Sequence, residues 1–406
     1  MSNTISSELI PKIIGDANET MSETMALVAR TNRMGQSKQG LMQGNVGKTL
    51  DVPIPPRLTA AARTAANTAP APTDNTTTVA QVTISNSKQA NFGFTTKELQ
   101  DYVLGGPQSV LSMNIKEAVR AVIYDLNAAL QARYYQIPYV VGTAGTGQFA
   151  SSIDQLADVR KKLIDNRNRP EVFDIIVPTS DYAAALKLDT LQRVNEAGNS
   201  VARTRGILAT TLGFDIYEDQ QTPIHTTGTI TTGLITKAAT AVDAGTTSFI
   251  GTTAASTGAC ALKKGDVISI AHASGARTYA VQADVTQASA ATDTAAITLD
   301  RGLEFALIGS EAVTLASGTS VVSIGGNMVG LTAVTRLPDD VLAENSMPGF
   351  VGTQGMKAAA IEPNSGVAVQ LAIYPQFGQM RFEASLNYGV GVTDPRRLVR
   401  SQTTAS

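Results

Sequence analysis

Two histidines, His225 and His272, and one cysteine, Cys260, are all that this 406-residue chain offers of the softer metal ligands. Such a set cannot build a Cys/His zinc site or an internal disulfide. Neither histidine has a Cys, His or acidic partner at metal-ligand spacing. The acidic trio Asp215, Glu218 and Asp219 comes nearest to a carboxylate pair for acid–base chemistry. Strand alternation would place Asp215 and Asp219 on one face and Glu218 on the other. No GxSxG, HExxH or Ser/Lys signature supplies a nucleophile. GTAGTG, Gly142 to Gly147, looks like a phosphate cradle, but no Lys-Ser/Thr follows it. It also lacks a strand–GxGxxG–helix setting, so it reads as a flexible turn. The basic run RKKLIDNRNR, 160–169, could meet phosphate backbones or form a solvated helix face. No catalytic residue, cofactor or metal is expected, and the chain does not read as an enzyme.

Composition narrows the classes further. At about 150 residues per domain the length suggests two or three units. With 43% hydrophobic and 16% charged residues there is material for real cores. The 32 Lys+Arg against 34 Asp+Glu leave a net charge of −2, which argues against a dedicated polyanion-binding surface. Trp is absent and aromatics are 5%, leaving little for stacking on bases. The first twenty residues carry Glu8, Lys12, Asp16 and Glu19 in place of an apolar signal run. The uncharged stretch from Ala312 to Thr335 is broken by Gly318, Gly325, Gly326, Asn327 and Gly330, unlike a membrane span. A soluble intracellular product with no membrane partner is expected.

The elements that would position such residues follow from periodicity. Leu9, Ile10, Ile13 and Ile14, then Met21, Met25 and Val28, recur at helical spacing and make an N-terminal arm. It would dock on a partner or on its own domain. Leu50, Val52 and Ile54 alternate with polar neighbours, as do Ala80, Val82 and Ile84, which predicts two facing strands. The intervening 55–78 has almost no large apolar residue and two cations, Arg57 and Arg63. It cannot bury a core of its own and reads as an extended loop. Leu50, Val52, Ile54, Val82, Ile84, Arg57 and Arg63 are therefore the candidate subunit-contact residues. A long helix is expected over 108–135, with Leu111, Ile115, Ala118, Val122, Leu126 and Ala129 on one stripe. From Ser152, a possible cap, the pattern turns α/β: a helix, the strand VFDIIVP, a helix capped by Thr179 or Ser180, and the strand in ILATTLGFDIYED. Past Pro223, DVISI, TYAVQADV, AAITLD and EAVTLA are short alternating runs in a Thr/Ala/Gly/Ser background, the pattern of a small all-β barrel or sandwich. After Pro338 the α/β texture returns and ends in strands.

This order of segments resembles the major capsid (coat) proteins of tailed bacteriophages, in the short-tailed-phage subgroup with an inserted β-barrel domain. The words that carry it are KTLDVPIPPR (48–57), NFGFTTKEL (91–99), YYQIPYVVGTAGT (134–146), LGFDIYEDQQTPIHTTG (212–228), LKKGDVISIA (262–271), GGNMVGLTAV (325–334) and NYGVGVTDPRRLVR (387–400). The resemblance implies an α+β, Hong Kong 97-type capsid fold. Its parts would be an N-terminal arm (1–45), an extended loop with flanking strands (46–96) and a peripheral domain with the spine helix (97–150). An axial α/β domain (151–222), the inserted barrel (223–330) and a return with C-terminal strands (331–406) would complete it. It further implies self-assembly through hexamers and pentamers into an icosahedral shell, built in the host cytoplasm and found in the virion. The implied partners are a scaffolding protein, a portal, and packaged double-stranded DNA in weak non-specific contact. A β-rich phage decoration or adhesin-type binding protein is the competing class. It explains the Thr/Ala/Gly insert but not the long helix.

Overall fold

The computed structural model describes residues 25–34, 49–54, 78–98, 110–192, 208, 210–230, 234–236, 241–253, 260–273, 275–287, 295–309, 311–338, 356–361 and 366–403. Apolar residues every three to four positions make Val110–Gln131 a helix of 22 residues, about 33 Å long. Ala132–Gln136 tightens into a 3-10 turn, so the end of the predicted 108–135 rod is not α-helical. Ile115, Val119, Val122, Ile123, Leu126 and Leu130 are buried along one side of the helix.

That side lies on a sheet built around the 14-residue strand Gln379–Val392. Its first half pairs antiparallel with Ala368–Gln376 on one edge and Asn86–Thr95 on the other. Its second half pairs with Leu331–Arg336. Met356–Ile361 extends the sheet beyond Ala368–Gln376. Alternation along two neighbouring strands brings Phe92 and Phe382 into a stack at 5.1 Å, with Phe94 edge-on. Polar bonds fix the helix over the sheet. Tyr388 donates to the Asp125 carboxylate, and Lys88 Nζ reaches the same group at 3.3 Å.

A second sheet is buried on both faces, which is why VFDIIVP reads as a nearly continuous apolar run. Phe173–Pro178 runs parallel to Phe214–Asp219 and antiparallel to Ser320–Gly326. Leu398–Gln402 follows, then Val140–Val141. Ile176, Ile324 and Leu398 face the long helix, whereas Ile175, Val177 and Val399 face Leu156, Val159 and Leu163 of the helix Asp154–Asp165. Ser152 Oγ accepts from Asp154 N at 3.4 Å near that helix start. The helix Thr179–Lys187 starts after Pro178 with no side-chain cap, so Thr179 and Ser180 lie inside it rather than capping it.

The third unit is antiparallel. Its strands run in the order Arg277–Ala280, Val267–Ile270, Ala312–Leu315, Leu234–Thr236, Ser248–Thr253, Ala295–Thr298. A bridge between Val281 and Leu299, with Gln282 N donating to Thr298 O at 2.9 Å, joins the first strand to the last, so this sheet closes on itself. Phe249, Ile268, Ile270, Tyr279, Ile297 and Val313 fill its interior. Ser320–Gly326, expected within the insert (223–330), belongs instead to the central sheet; both its faces are buried, as the run VVSIGG allows.

For part of the arm the structure chooses the second of the two surfaces the sequence leaves open, its own domain. Ala26–Arg30 forms a short helix whose Leu27 and Val28 are fully buried in the body's own core. Asn32–Met34 then pairs in parallel with the body strand Leu331–Arg336. Residues 25–34 thus dock in cis; residues 1–24 lie outside the described residues. Among the described residues no helix is long and apolar enough to cross a membrane.

Candidate functional site

Thr49–Ile54 and Thr78–Thr83 pair antiparallel in a two-stranded ribbon, with Leu50 opposite Val82 and Val52 opposite Ala80. Alternation puts Val52 and Val82 on one face, and that face lies on the body. They are 7% and 2% exposed and cluster with the fully buried Val334, with Leu50 and Ile84 half-buried against them. The prediction that Val52 and Val82 meet a neighbouring subunit is therefore corrected: these side chains bury against their own chain. Leu50, Ile54 and Ile84 keep partial exposure, and Thr49, Asp51, Pro53, Gln81 and Thr83 form the outward face. Glycine permits the approach. A Cβ on Gly389 would sit 2.2 Å from Thr83 O. Arg57 and Arg63, with most of their loop, lie outside the described residues.

Charge collects where the closed β unit meets the body. His225 Nε2 lies 2.9 Å from Asp266 Oδ1, and His225 Nδ1 lies 3.2 Å from the Tyr134 hydroxyl. Asp266 is fully buried and also accepts from Thr227 Oγ1 at 2.9 Å, Gly228 N at 3.0 Å and Lys263 N at 2.7 Å. Burial pushes its carboxyl up, but the bonds from His225, Lys263, Thr227 and Gly228 outweigh burial and hold it below the usual carboxylate range. Arg400, 1% exposed, donates Nη1 to Gly265 O at 2.7 Å. Its Nε and Nη2 have no hydrogen-bond partner among the described residues, and burial pushes its pKa down to about 10. Burial raises the Tyr134 phenol. Lys264 Nζ stands 3.9 Å from the centroid of the Tyr135 ring, and Gln282 Nε2 donates to Tyr135 O at 3.3 Å. Gly265 is left-handed at φ +96°, and a Cβ there would come 3.0 Å from Tyr135.

A hydroxyl–imidazole–carboxylate row is the order of a nucleophile relay. Here the row is closed in: His225 is 1% exposed and Asp266 0%. Its chemistry is adhesion, joining the 3-10 turn after the long helix to the closed β unit. Sequence spacing hid it, because Asp266 lies 41 residues from His225. The signal that could have found it is the pair of glycines flanking the acid, Gly228 and Gly265; a Cβ on Gly228 would fall 1.9 Å from Ala261 O. His272 instead stacks on Phe305 at 4.0 Å. The acidic trio does not converge. Asp219 is buried and accepts from Asn127 Nδ2 at 2.9 Å and Gln131 Nε2 at 3.2 Å, whereas Asp215 bonds Thr210. Among the described residues no group of three or more His, Cys, Asp or Glu is placed to hold a metal ion.

No family model matches the chain, and no curated protein matches it. Solved structures resemble it at low identity. One from Mycobacterium phage Che8 is 11% identical with a TM-score of 0.45, covering 87% of this chain and 84% of that one. The capsid of the cyanophage P-SCSP1u is 11% identical with a TM-score of 0.45, covering 93% and 87%. A virus-like particle from Pyrococcus furiosus is 10% identical with a TM-score of 0.42, covering 98% and 100%. Similarity at this level carries no weight for function. What stands is a mixed α+β fold with a ribbon, a long helix under a hairpin sheet, and a closed β unit latched by buried charge.

Proposed function

We propose that the chain is a structural shell subunit, the major capsid protein of a tailed double-stranded DNA phage, and not an enzyme. The observation that supports this reading is the ribbon. Two six-residue strands reach out with a single face buried on the body, by two valines. The stretch between them lacks side chains that could bury a core. Such a projection gains further burial against other copies. Among the described residues, a ribbon, a long helix, a central sheet and a closed β unit follow one another along the chain, which supports the reading. Hexamers and pentamers of this subunit would enclose the genome, assembled in the host cytoplasm with a scaffolding protein and a portal. Near-neutral overall charge suits a wall that holds DNA without anchoring it. The inserted β-barrel serves as a rigid appendage of the subunit.

Negative-stain electron microscopy of the purified chain, alone and co-expressed with a scaffold, tests this. Uniform closed particles are expected. A strictly monomeric protein under every assembly condition overturns the reading.

A further inference from the structure

One sheet of the body stops at an unguarded strand. Asn86–Thr95 pairs with Gln379–Val392 along all of its 10 residues, from Asn86 opposite Tyr388 to Thr95 opposite Gln379, without a bulge. Thr96 N donates inward to Gly378 O at 3.0 Å, so the even-numbered residues of the strand turn their N–H and C=O groups towards Gln379–Val392. The odd-numbered ones, Ser87, Gln89, Asn91, Gly93 and Thr95, turn theirs outward, and all are exposed. Thr95 N is taken by the Glu98 carboxylate at 2.9 Å, which closes that end. Among the described residues no strand pairs with the outer side of 87–93. Sheet edges are ordinarily blunted by charge, proline, a bulge or brevity. Other edges of this chain follow that rule: Asn32–Met34 has 3 residues, Thr49–Ile54 carries Asp51 and Pro53, and Phe214–Asp219 carries Asp215 and Glu218. Asn86–Thr95 is longer than any of these and holds no proline, and its one charge, Lys88, is tied to Asp125 at 3.3 Å. Its outward row is uncharged throughout, and towards the long helix Ala90, Phe92 and Phe94 are only half-buried. An edge of this kind accepts a further strand.

We propose that this edge pairs antiparallel with the same edge of a second copy across a two-fold axis, merging two sheets into one. The partner is taken from the shell reading, on which this contact rests, and the contact supplies one joint between copies that the reading requires. The strand is complementary to itself. With Asn91 opposite its own counterpart, Gln89 meets Gly93 and Ser87 meets Thr95, which gives about eight ladder bonds and sets no like charges opposite one another. Lys88 then lies opposite Phe94 of the second copy, and Ala90 opposite Phe92, so the half-open apolar row is covered. Glu98 helps to fix the register, because it keeps Thr95 N out of any longer ladder.

The test uses the full-length chain carrying Asn91→Cys, oxidised with copper phenanthroline under assembly conditions. Across the axis the two Cα atoms would stand about 5.5 Å apart, within disulfide reach. Peptide mapping should find chains joined from position 91 to position 91. Ser87→Cys, whose counterparts would lie about 27 Å apart, should not join. Adding Gln89→Pro removes an outward N–H that the single copy does not use; it should lower the yield about tenfold without shifting the thermal melt. Gln89→Thr keeps that N–H and should leave the yield unchanged. The amides of Gln89 and Asn91 should exchange fast in the dilute chain and slowly in the joined pair. Absence of the 91–91 link, an equal yield from Ser87→Cys, or indifference to Gln89→Pro would overturn the proposal. So would amides already protected in the dilute monomer, which would mean that the chain covers its own edge. Closed particles lacking the 91–91 link overturn this contact and leave the shell reading standing. Linked pairs that never close into particles uphold the contact and count against the shell.

Discussion

Replacing Asp266 with alanine probes the latch most directly. The side chain is 0% exposed, and its two oxygens accept from His225 Nε2, Thr227 Oγ1, Gly228 N and Lys263 N. Thr227 can turn to Ser317 O, 3.4 Å away. The two backbone N–H groups have no such alternative, and a buried unsatisfied donor costs about 1–3 kcal/mol. Together with the lost bond to His225 the expected destabilisation is about 3–5 kcal/mol. Over a cooperative unit of this size that lowers the melting temperature by roughly 10 °C. Differential scanning calorimetry reads it, and the transition of the closed β unit should part from that of the body. Since the folded carboxyl titrates below its ordinary value, its contribution is full above about pH 4 and is lost as pH falls through the folded value. The gap between wild type and Asp266→Asn should therefore narrow towards pH 3. A melting temperature for Asp266→Ala within 2 °C of wild type, about 1 kcal/mol, would refute the idea that this carboxylate holds the junction.

Three further substitutions separate the other contacts. Gly389→Ala, whose Cβ would fall 2.2 Å from Thr83 O, should lift the ribbon off the sheet and increase proteolysis at Thr78–Thr83, with a cost of about 1–3 kcal/mol in urea titrations. Arg400→Met should be within about 1 kcal/mol of wild type or more stable, because two of the buried guanidinium's nitrogens lack hydrogen-bond partners among the described residues; a loss above 3 kcal/mol would show that its bond to Gly265 dominates. Asp181 is 4% exposed, and burial raises its carboxyl, so its ionised form weakens the fold above the folded pKa and the penalty fades as pH falls. Asp181→Asn should accordingly stabilise by about 1 kcal/mol at pH 7 and by nothing at pH 3 in thermal melts.

Elements with a strong local period were legible in the sequence. The stripe from Ile115 to Leu126 announces the long helix, and VFDIIVP a strand covered on both sides. Features made by chain crossing were not. Val52 and Val82 look alike whether they face a neighbour or their own body, and what decides is the bare backbone at Gly389, some three hundred residues away in sequence. Met25 and Val28 carry helical spacing but not the identity of the surface that buries them. Ser320–Gly326 shares the Thr/Gly/Ser texture of the insert, yet pairs with Phe173–Pro178 because two glycines there, Gly325 and Gly326, fit against Ile175 and Leu163.

The latch answers a mechanical need of the insertion itself. The chain leaves the central sheet at Asp219 and returns at Ser320, and the outgoing connection pairs with the start of the returning strand, His225 opposite Ser320 and Ile224 opposite Val321. Thr227 N donates to Thr319 Oγ1 at 3.2 Å just beyond. A neck of two short strands resists stretching but leaves twist about its own axis soft, since two residue pairs define a line rather than a plane. The bonds from Tyr134 to His225 and from Arg400 to Gly265 add points off that line, from the turn after the long helix and from the last strand of the central sheet. Because the helix is itself fixed to the hairpin sheet through Asp125 and to Asp219 through Asn127 and Gln131, torque on the closed β unit passes into the whole body. Apolar packing alone would hold the two parts together at many angles, whereas directional bonds closed from water select one.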